Sequence, residues 1–371
     1  MIRSVDVVVV GAGVIGASIA YHLVLRQLRV AIFDQPEAPL PPSASWASAG
    51  SLRSQGRDPR EWGLALEASQ RWPLLNEELG ADTGFRATGH LHVVERPEQV
   101  DALRARVARE RAAGLAVEPV GEAELRSLAP ALAPSVIAGA YSEGDGQADP
   151  RATTRALLSA ARRRGGSFHP WRVDALRLSA GRVIGVTAGI EQVAAGQVVL
   201  AAGSWSPRLA AAAGLELPIQ PRASQVLLTD AARPALRPTI TAEGRALSLE
   251  QLPGGEFLIG GGWTARMDPE RHTCRVLEES VRGSWETART LLPTLAEQRL
   301  AYRWCGIEAQ SADGVPVIGA SELPGLYLAT GFSNHGLQLA PAVGRAVAAA
   351  LCGERPAALA PLSPARFRSP V

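Results

Sequence analysis

The sequence predicts a protein of the α/β class, and three observations support that prediction. Val5 to Val10 is almost entirely valine, as expected of a parallel strand that is covered on both faces. A glycine turn and an apolar segment with helical spacing follow it directly. Two further strands, each followed by a glycine, recur near residues 198 and 326, with material of a different composition between them.

Composition excludes several classes of protein. The 371 residues are 46% hydrophobic and 20% charged, which is enough for a large core and for more than one typical domain. The net charge is +2, from 38 basic and 36 acidic residues, so no nucleic acid partner is expected. Every basic residue is arginine, so no mechanism here can use a lysine amine.

The cysteines and histidines predict neither a disulfide framework nor a metal site. Cys274, Cys305 and Cys352 are far apart, without a CxxC pair, and no HExxH motif is present. This usage fits a reducing compartment, and we expect a cytoplasmic location, with association at the inner face of a membrane left open. Val7 to Leu25 is long and apolar enough to suggest a membrane span, but its three regularly spaced glycines favour a buried strand and helix.

The remaining elements are predicted in chain order. A second short strand ends at Asp34, and a proline- and serine-rich loop then runs to Gly56. Helices are expected at Pro59–Leu79, at Pro97–Ala113, after Asp149 as N-cap with Gly165 as stop, at Val276–Leu292 and from near Leu339. A hairpin ends in the apolar strand Val198–Ala201, and the tail Gly353–Val371 is expected to lie extended over the surface.

The first strand, turn and helix carry a dinucleotide fingerprint. Gly11, Gly13 and Gly16 form GxGxxG, and Asp34 follows eighteen residues after the last glycine. Gly11 permits the tight turn, Gly13 lets the backbone approach a pyrophosphate, and Gly16 lets the helix pack on the strand. Asp34 would accept hydrogen bonds from the adenosine ribose. The sequence therefore predicts a Rossmann-type domain.

The fingerprint alone does not separate NAD from FAD. An NAD domain normally finishes in one continuous stretch. Here "VVLAAGSWS" and "LYLATGFSNHG" lie far along the chain from the fingerprint, with other material between. This interleaving is typical of flavoproteins and favours FAD.

The segments "VVVVGAGVIGASIAYHL", "VVLAAGSWSP" and "DGVPVIG" with "GLYLATGFSNHGLQLAPAVG" resemble the D-amino-acid oxidase, glycine oxidase and sarcosine oxidase family. The resemblance implies FAD held between a Rossmann-type FAD-binding domain and an interleaved α+β substrate domain on a mostly antiparallel sheet. The FAD-binding domain would comprise 1–80, 145–214 and 315–371, and the substrate domain 81–144 and 215–314.

The resemblance also implies which residues contact FAD. They come from the fingerprint and the helix after it, the loop under the flavin, the hairpin on the adenine side, the second glycine strand and the turn before the last helix: Gly11, Gly13, Val14, Ile15, Gly16, Asp34, Ser43, Ser48, Ala49, Gly50, Val173, Ala202, Gly203, Trp205, Gly331, Ser333, Asn334, His335, Gly336 and Leu337. For Ser48, capping of the loop is an equally good interpretation. His335 is also a candidate catalytic residue.

Two departures from the family pattern concern the segment "WCGIEAQSADGVPVIG". The position that anchors flavin covalently in sarcosine oxidases falls on Gly306, not Cys305, so noncovalent FAD and a packed Cys305 are expected. Glu308 stands where glycine oxidases place an arginine that binds the substrate carboxylate. Arg53 and Arg303 are the arginines that could replace it, and a plain structural role is an equal alternative for both and for Glu308.

The resemblance implies an FAD-dependent oxidoreductase that takes two electrons from the CH–NH unit of an amino acid, N-substituted amino acid or secondary amine. The electron acceptor is a quinone, an electron-transfer partner or oxygen. An alternative is an FAD-binding subunit of a larger dehydrogenase complex that needs a partner chain. An NAD-dependent dehydrogenase is disfavoured.

Overall fold

A computed structural model describes residues 4–35 and 42–368 of the chain. Its strands, in chain order, are β1 Ser4–Val10, β2 Val30–Phe33, β3 Ser51–Leu52, β4 His90–Val94, β5 Glu118–Val120, β6 Ala138–Ser142, β7 Gly146–Gln147, β8 Ser167–His169, β9 Ala175–Ser179, β10 Arg182–Ala188, β11 Glu191–Leu200, β12 Ile219–Ala231, β13 Thr239–Ala242, β14 Arg245–Gln251, β15 Glu256–Gly260, β16 Arg266–Asp268, β17 Thr273–Arg275, β18 Leu300–Ser311, β19 Val317–Ala320 and β20 Leu326–Thr330.

The α-helices are α1 Val14–Leu25, α2 Ala44–Ala47, α3 Trp62–Arg71, α4 Leu75–Leu79, α5 Pro97–Ala112, α6 Glu122–Leu128, α7 Pro150–Arg163, α8 Ser206–Ala211, α9 Glu278–Leu291 and α10 Gly336–Leu351. Short 3-10 helices lie at Pro59–Glu61, Trp72–Leu74, Gly203–Trp205, Pro293–Glu297, Ala357–Leu362 and Pro364–Phe367. Of the described helices, none is long and apolar enough to cross a membrane.

The first sheet has the strand order β19-β20-β11-β1-β2-β8, with β10 and β9 extending from β11. The pairs of β1 with β2 and β11, of β2 with β8, and of β11 with β20 are parallel. One face packs against α1, α3, α7 and α10, and the other against the β9–β10 hairpin and α8. Because both faces are covered, β1 and β2 are nearly continuous apolar runs, which confirms the predicted α/β class.

The second sheet has the order β18-β12-β15-β14-β13-β4-β6-β5, and only the β13–β4 pair is parallel. One face is apolar, with Leu227, Ile259, Leu249 and Ile240 in register across four strands beneath α9. The opposite face carries polar side chains. It lies against the loop that contains α2 and the turn before α10. The mostly antiparallel second sheet is therefore confirmed.

Most predicted elements are present, and two expectations need correction. The helix expected over Pro59–Leu79 is divided into α3 and α4 by a 3-10 turn containing Pro73, because proline cannot donate the helical hydrogen bond. The described part of the tail is not extended: the 3-10 helix Ala357–Leu362 buries Leu359 and Leu362 in the core on the helical face of the first sheet. Asp149 caps α7 as predicted, accepting hydrogen bonds from the N–H groups of Arg151 and Ala152.

Candidate active site

Two helices begin at the same end of the first sheet. α1 and α10 run side by side in the same direction, since Ile15 lies near Gly336 and the Ser18 hydroxyl donates to the Ala340 carbonyl at 2.7 Å. Neither helix has an acidic residue in its first turn. The N–H groups and positive dipole ends of both helices therefore point to one region, as an anionic dinucleotide requires.

The glycine turn before α1 has no room for side chains at two positions. A Cβ at Gly11 would lie 2.4 Å from the Ala201 carbonyl oxygen, and one at Gly16 would lie 1.9 Å from the Gly11 carbonyl oxygen. Gly13 differs, because its Cβ would meet only the Ser45 side chain, at 3.0 Å. Gly11 and Gly16 are needed for the fold, whereas Gly13 leaves open the approach to the helix N-terminus.

Ser45 lies at this turn, although the sequence did not single it out. Its hydroxyl oxygen accepts from the N–H of Val14 at 2.9 Å, within the first turn of α1. The serines around it offered no signal that separates Ser45 from Ser43 or Ser48. Ser43 instead forms an isolated bridge with Ile307 of β18.

Asp34 stands at the end of β2, next to the glycine turn. Its carboxylate accepts from the N–H groups of Ala12 and Gln35, both at 2.6 Å. Burial raises the pKa of Asp34, and these two hydrogen bonds oppose the rise. The carboxylate is fixed where the strand, turn and helix meet, the position at which the fingerprint places an acceptor for ribose.

The loop that contains α2 contacts both α1 and strands of the second sheet. Ser48 accepts from the N–H of Gly50 at 3.2 Å, the local capping bond that the sequence allowed. Ala49 lies close to Gly260 of β15, since a Cβ added at Gly260 would be 3.7 Å from the Cβ of Ala49. The Trp304 indole N–H donates to the Ala47 carbonyl at 2.9 Å. Residues 36–41, earlier in the same predicted loop, lie outside the described residues.

The turn before α10 has an unusual backbone. Gly331, Ser333 and Asn334 all have positive φ angles, of 70°, 49° and 72°. Ser333 and Asn334 are adjacent, and the N–H of Ser333 donates to the Ala309 carbonyl at 3.1 Å. Left-handed backbone at non-glycine residues costs of the order of 1–3 kcal/mol and persists only where the surroundings hold it. Gly336 and Leu337 follow as the first residues of α10.

His335 is held by a buried carboxylate. Its Nδ1 lies 2.9 Å from Oε2 of Glu61, which has no exposed surface, and Arg57 lies 3.6 Å from the same oxygen. Burial and the charge of Arg57 lower the pKa of His335 to about 4, against the opposing effect of Glu61. The imidazole is therefore neutral, and its Nδ1–H donates to Glu61. No sequence pattern indicated this contact, which spans more than 270 residues.

Glu308 faces the turn before α10. It is only 8% exposed, and its Oε1 accepts from the Ser224 hydroxyl at 3.4 Å. Burial raises the pKa of Glu308 to about 7; the backbone and side chain of Asn334, the charge of Arg222 and the Ser224 hydroxyl oppose the rise. Glu308 is opposite Arg222 in the β12–β18 register, yet no described arginine lies within 4.0 Å of its carboxylate.

The two arginines that the sequence offered occupy different surroundings. Arg303 is at the surface and pairs with Glu278 at 2.7 Å. Arg53 lies in the loop, where its Nη1 donates to the carbonyls of Gln55 and Gly56 at 2.8 and 3.0 Å. Burial and the charge of Arg106 lower the pKa of Arg53. Within the described residues, Nε and Nη2 of Arg53 make no hydrogen bond.

Gly306 leaves no room for a side chain at the position where sarcosine oxidases attach flavin. A Cβ there would lie 2.2 Å from Cβ of Ala47. Cys305 points to the opposite face of β18 and contacts Cys274, which lowers the pKa of Cys305 and raises that of Cys274. Cys305 is half-buried, and a packed, unreactive Cys305 stays a prediction.

The other residues expected at the cofactor lie around the same edge of the first sheet. Ala202 precedes the 3-10 helix Gly203–Trp205 after β11, and Trp205 stacks on His272 with ring centroids 4.5 Å apart. Val173 lies in the connection before the β9–β10 hairpin, and not within the hairpin as expected. Its side chain is buried in the same core as Val5 and Val8.

Comparison with known proteins identifies the family. The profile of the DAO family, described as FAD dependent oxidoreductase, matches residues 6–350. The chain belongs to this family. It is therefore an FAD-dependent oxidoreductase.

Individual relatives match the chain over almost its whole length. Glycine oxidase of Geobacillus kaustophilus (strain HTA426) is 32% identical, with 94% of this chain and 93% of the relative covered. A subunit of opine oxidase from Rhizobium meliloti is 28% identical, with 91% and 93% covered. The crystal structure of L-proline dehydrogenase from P. horikoshii is similar with a TM-score of 0.91 at 25% identity, covering 99% of this chain and 98% of that one.

Proposed function

We propose that this chain oxidises the CH–NH unit of an amino acid, an N-substituted amino acid or a related secondary amine. The relatives named glycine oxidase and L-proline dehydrogenase support this substrate class. Two separate observations carry the proposal: Glu308 is buried at the Asn334 turn, and Nε and Nη2 of Arg53 make no hydrogen bond to any described residue. When bound, FAD would supply the two-electron acceptor for this oxidation, and the imine product would be hydrolysed by water.

The residues present fit FAD. The turn Gly11–Gly16 and the N-terminus of α1 would hold the pyrophosphate, and Asp34 the adenosine ribose. The N-terminus of α10 would face the flavin pyrimidine, where negative charge accumulates on reduction, and the Ser333–Asn334 turn leads into it. Because Gly306 is closed by Ala47, we propose that FAD is bound noncovalently. Acid precipitation should leave all yellow colour in solution; colour tracking to a Cys305 peptide would refute this.

The protein side chains orient the substrate. Arg53 would bind the α-carboxylate through Nε and Nη2, because a guanidinium fork matches a carboxylate in a bidentate pair. Glu308 would repel a carboxylate and accept from a second group that is cationic or donates a hydrogen bond. A basic amino acid or an opine-like conjugate fits both requirements better than glycine or sarcosine.

Arg53→Gln should therefore raise KM for the preferred substrate roughly 100-fold, since it removes one partner of a buried charge pair. Arg303→Gln is the matched control, because its ion pair with Glu278 is exposed and contributes little. Steady-state kinetics of both variants tests the assignment. Equal KM values for the two variants would assign carboxylate binding to another residue.

We further propose that oxygen reoxidises the enzyme slowly, so that a quinone or an electron-transfer partner is the acceptor. Sarcosine oxidases use a lysine above the flavin for oxygen, and this chain has none. On β15, Leu258 lies on the polar face of the second sheet. Phe257 and Ile259 lie on its apolar face and pack in the core beneath α9. Hydrogen peroxide production at air saturation should be much slower than turnover with an artificial quinone. Equal rates would contradict this.

A second candidate is an FAD-binding subunit that acts only with a partner chain, and the similarity to a protein named as one subunit of opine oxidase favours it. The two-domain division given above and a cytoplasmic location are part of either proposal. The test is to purify this chain alone and add amino acids and amines without oxygen. Flavin bleaching by the chain alone supports the first candidate. Bleaching only after addition of a co-expressed partner supports the second.

A further inference from the structure

The imidazole of His335 has one nitrogen held inside the protein and one that stays reachable. Nδ1–H donates to the two oxygens of Glu61, at 3.1 and 2.9 Å. Nε2 makes no hydrogen bond to any residue that the structure describes and is not enclosed by them, since the side chain is 18% exposed. His335 directly precedes α10, whose first residue, Gly336, lies near Ile15 of α1. Nε2 is therefore accessible at the end of the first sheet where both helices begin.

A buried ion pair determines which nitrogen of His335 carries the proton. Glu61 has no exposed side-chain surface, and Arg57, whose side chain is 3% exposed, lies 3.6 Å from the Glu61 oxygen that is nearest to His335. A carboxylate can only accept, so the proton of a neutral His335 stays on Nδ1. The lone pair of the ring is then on Nε2, which makes Nε2 a hydrogen-bond acceptor.

The surroundings keep this imidazole neutral. Burial, with the charges of Arg57 and Arg53, lowers the pKa of His335 to about 4 against the opposing effect of Glu61. Near pH 7 the ring therefore has one donor nitrogen and one acceptor nitrogen. A protonated ring would have two donors and no acceptor.

Backbone contacts on both sides fix the position of the Glu61 carboxylate. Arg57 Nε donates to the Arg53 carbonyl at 2.7 Å, which holds the arginine in the loop before α3. Glu61 directly precedes α3, and Gln338 of α10 donates to the Ala65 carbonyl of α3 at 3.2 Å. The two helices that carry the imidazole and its partner are thus joined, and the fold sets the direction of the Nδ1–H bond.

The flavin pyrimidine needs both donors and an acceptor from the protein. Its two carbonyl oxygens suit the free N–H groups at the N-terminus of α10. Its N3–H lies between those carbonyls and needs an acceptor, which backbone N–H groups are unable to provide. Nε2 of His335 is an acceptor without a partner among the described residues at this same end.

We propose that Nε2 of His335 accepts a hydrogen bond from N3–H of bound FAD, and that Glu61 is the positioning residue that holds the His335 proton on Nδ1. The opposite tautomer would place Nε2–H against N3–H, and both groups would lose their hydrogen bond. The inference uses the cofactor of the family and the placement of the pyrimidine at α10 given above. It is independent of which substrate the enzyme oxidises.

The first test is the tautomer of His335 in the FAD-loaded protein. With ¹⁵N-labelled histidine at pH 7, the proton should be on Nδ1, with the signals assigned by comparison with His335→Ala. Replacing FAD by 3-methyl-FAD, which lacks the N3 proton, should shift the Nε2 resonance of His335. A proton on Nε2, or an Nε2 resonance that is the same with both cofactors, would overturn the proposal.

The second test is a competition between the two cofactors. Holoenzyme is equilibrated with equal excesses of FAD and 3-methyl-FAD, and the bound ratio is measured. The wild type should prefer FAD by about 10-fold, because the methyl group removes one hydrogen bond. His335→Ala removes the acceptor and should bind both about equally. Equal binding by the wild type, or a preference that His335→Ala retains, would contradict the proposal.

His92→Ala is the matched control for this competition. His92 is also paired with a glutamate, at 3.1 Å from Glu243, and its side chain is 16% exposed against 18% for His335. It lies on the second sheet, away from the N-terminus of α10. His92→Ala should keep the wild-type preference for FAD, and loss of that preference would show that the effect is not specific to His335.

Variants of Glu61 test its positioning role. Glu61→Leu should move the His335 proton to Nε2 and abolish the preference for FAD. Glu61→Gln should retain both, because one amide oxygen can accept from His335 and Arg57, which approach the same oxygen of Glu61. A folded Glu61→Leu protein that keeps Nδ1–H and the preference would overturn the role of Glu61. If Glu61→Leu does not fold, the tautomer of the wild type and the ratio in His335→Ala decide.

These measurements use no amine, so their outcome is separate from that of the proposed function. Loss of the FAD preference in His335→Ala supports the hydrogen bond to N3 even if no amine reduces the flavin. An unchanged preference in that variant removes the hydrogen bond and leaves amine oxidation standing.

Discussion

The glycine turn at Gly11–Gly16 and the polar face of the second sheet are built in different ways. The turn is a backbone structure of six residues, in which two glycines approach carbonyl oxygens too closely for any side chain. The polar face uses side chains from separate strands, including His90, Thr241, Glu250 and Glu308. Its groups become neighbours only through strand register.

Under the proposed function, this difference separates the groups that would hold the cofactor from those that would select the substrate. Backbone N–H groups bind any dinucleotide phosphate, so the turn can be the same in enzymes with different substrates. Side chains on the second sheet can change one at a time without disturbing the fold. We propose that Glu308, which the resemblance to glycine oxidases places at an arginine position, is such a change.

The largest expected effect is on folding at the turn. Gly16→Ala should prevent folding or lower Tm by more than about 10 °C, because its Cβ would overlap the Gly11 carbonyl. Gly144→Ala is the matched control, since a Cβ there meets no atom within 4 Å. Thermal unfolding of both variants checks the prediction, and equal Tm values would show that the turn is not closely packed.

The stability of the fold should depend on pH through Glu308 of the second sheet, whereas the turn Gly11–Gly16 has no titratable side chain. The pKa of Glu308 is about 7 in the folded chain against 4.5 as its ordinary value, so the folded state retains the proton longer. The contribution of Glu308 to the free energy of unfolding should therefore be largest below pH 4.5, fall as the pH rises to 7, and level off above pH 7. The loss is of the order of 3 kcal/mol at most.

Glu308→Gln is the variant that isolates this contribution. Because a glutamine does not titrate, urea unfolding at pH 5 and pH 8 should show a smaller loss of stability with pH than in the wild type. A pH dependence identical to that of the wild type would place the titration elsewhere.

Sequence alone predicted the turn and could not predict the polar face. The residues of the turn are contiguous, so their spacing carries the geometry, and the strand–helix–strand order follows from hydrophobic patterning. The contacts of His335 with Glu61 and of Thr241 with His90 span more than 140 residues and depend on register. Arg53 and Arg303 were equal candidates in the sequence, and only the ion pair of Arg303 with Glu278 separated them.

A substitution at Gly13 should weaken FAD binding and leave the chain folded. In Gly13→Val the added Cβ would press on the Ser45 hydroxyl oxygen at 3.0 Å, a side chain that can shift, and the variant should bind FAD at least 100-fold more weakly because it blocks the pyrophosphate. Thermal unfolding and FAD titration of the same preparation measure the two effects separately. A folded variant that retains full flavin content would remove Gly13 from the cofactor site.

The smallest expected effect concerns substrate choice. Glu308→Gln should raise KM for the preferred substrate and relax discrimination against small neutral amino acids, each by about 10-fold, because it removes one charged hydrogen bond. The ranking of a panel of D-, L- and N-methyl amino acids checks this. An unchanged ranking would make Glu308 a structural residue.

The central claim is that FAD in this chain takes a hydride from the carbon of a CH–NH unit. Its most direct test is anaerobic stopped-flow reduction of the purified protein by its best amine substrate, with hydrogen or deuterium on that carbon. We predict that the flavin bleaches, that deuterium slows bleaching, and that a carbonyl product appears in equal amount after hydrolysis. Bleaching at the same rate with both substrates, or no bleaching by any amine in the panel while another class of compound bleaches the flavin, would contradict the account.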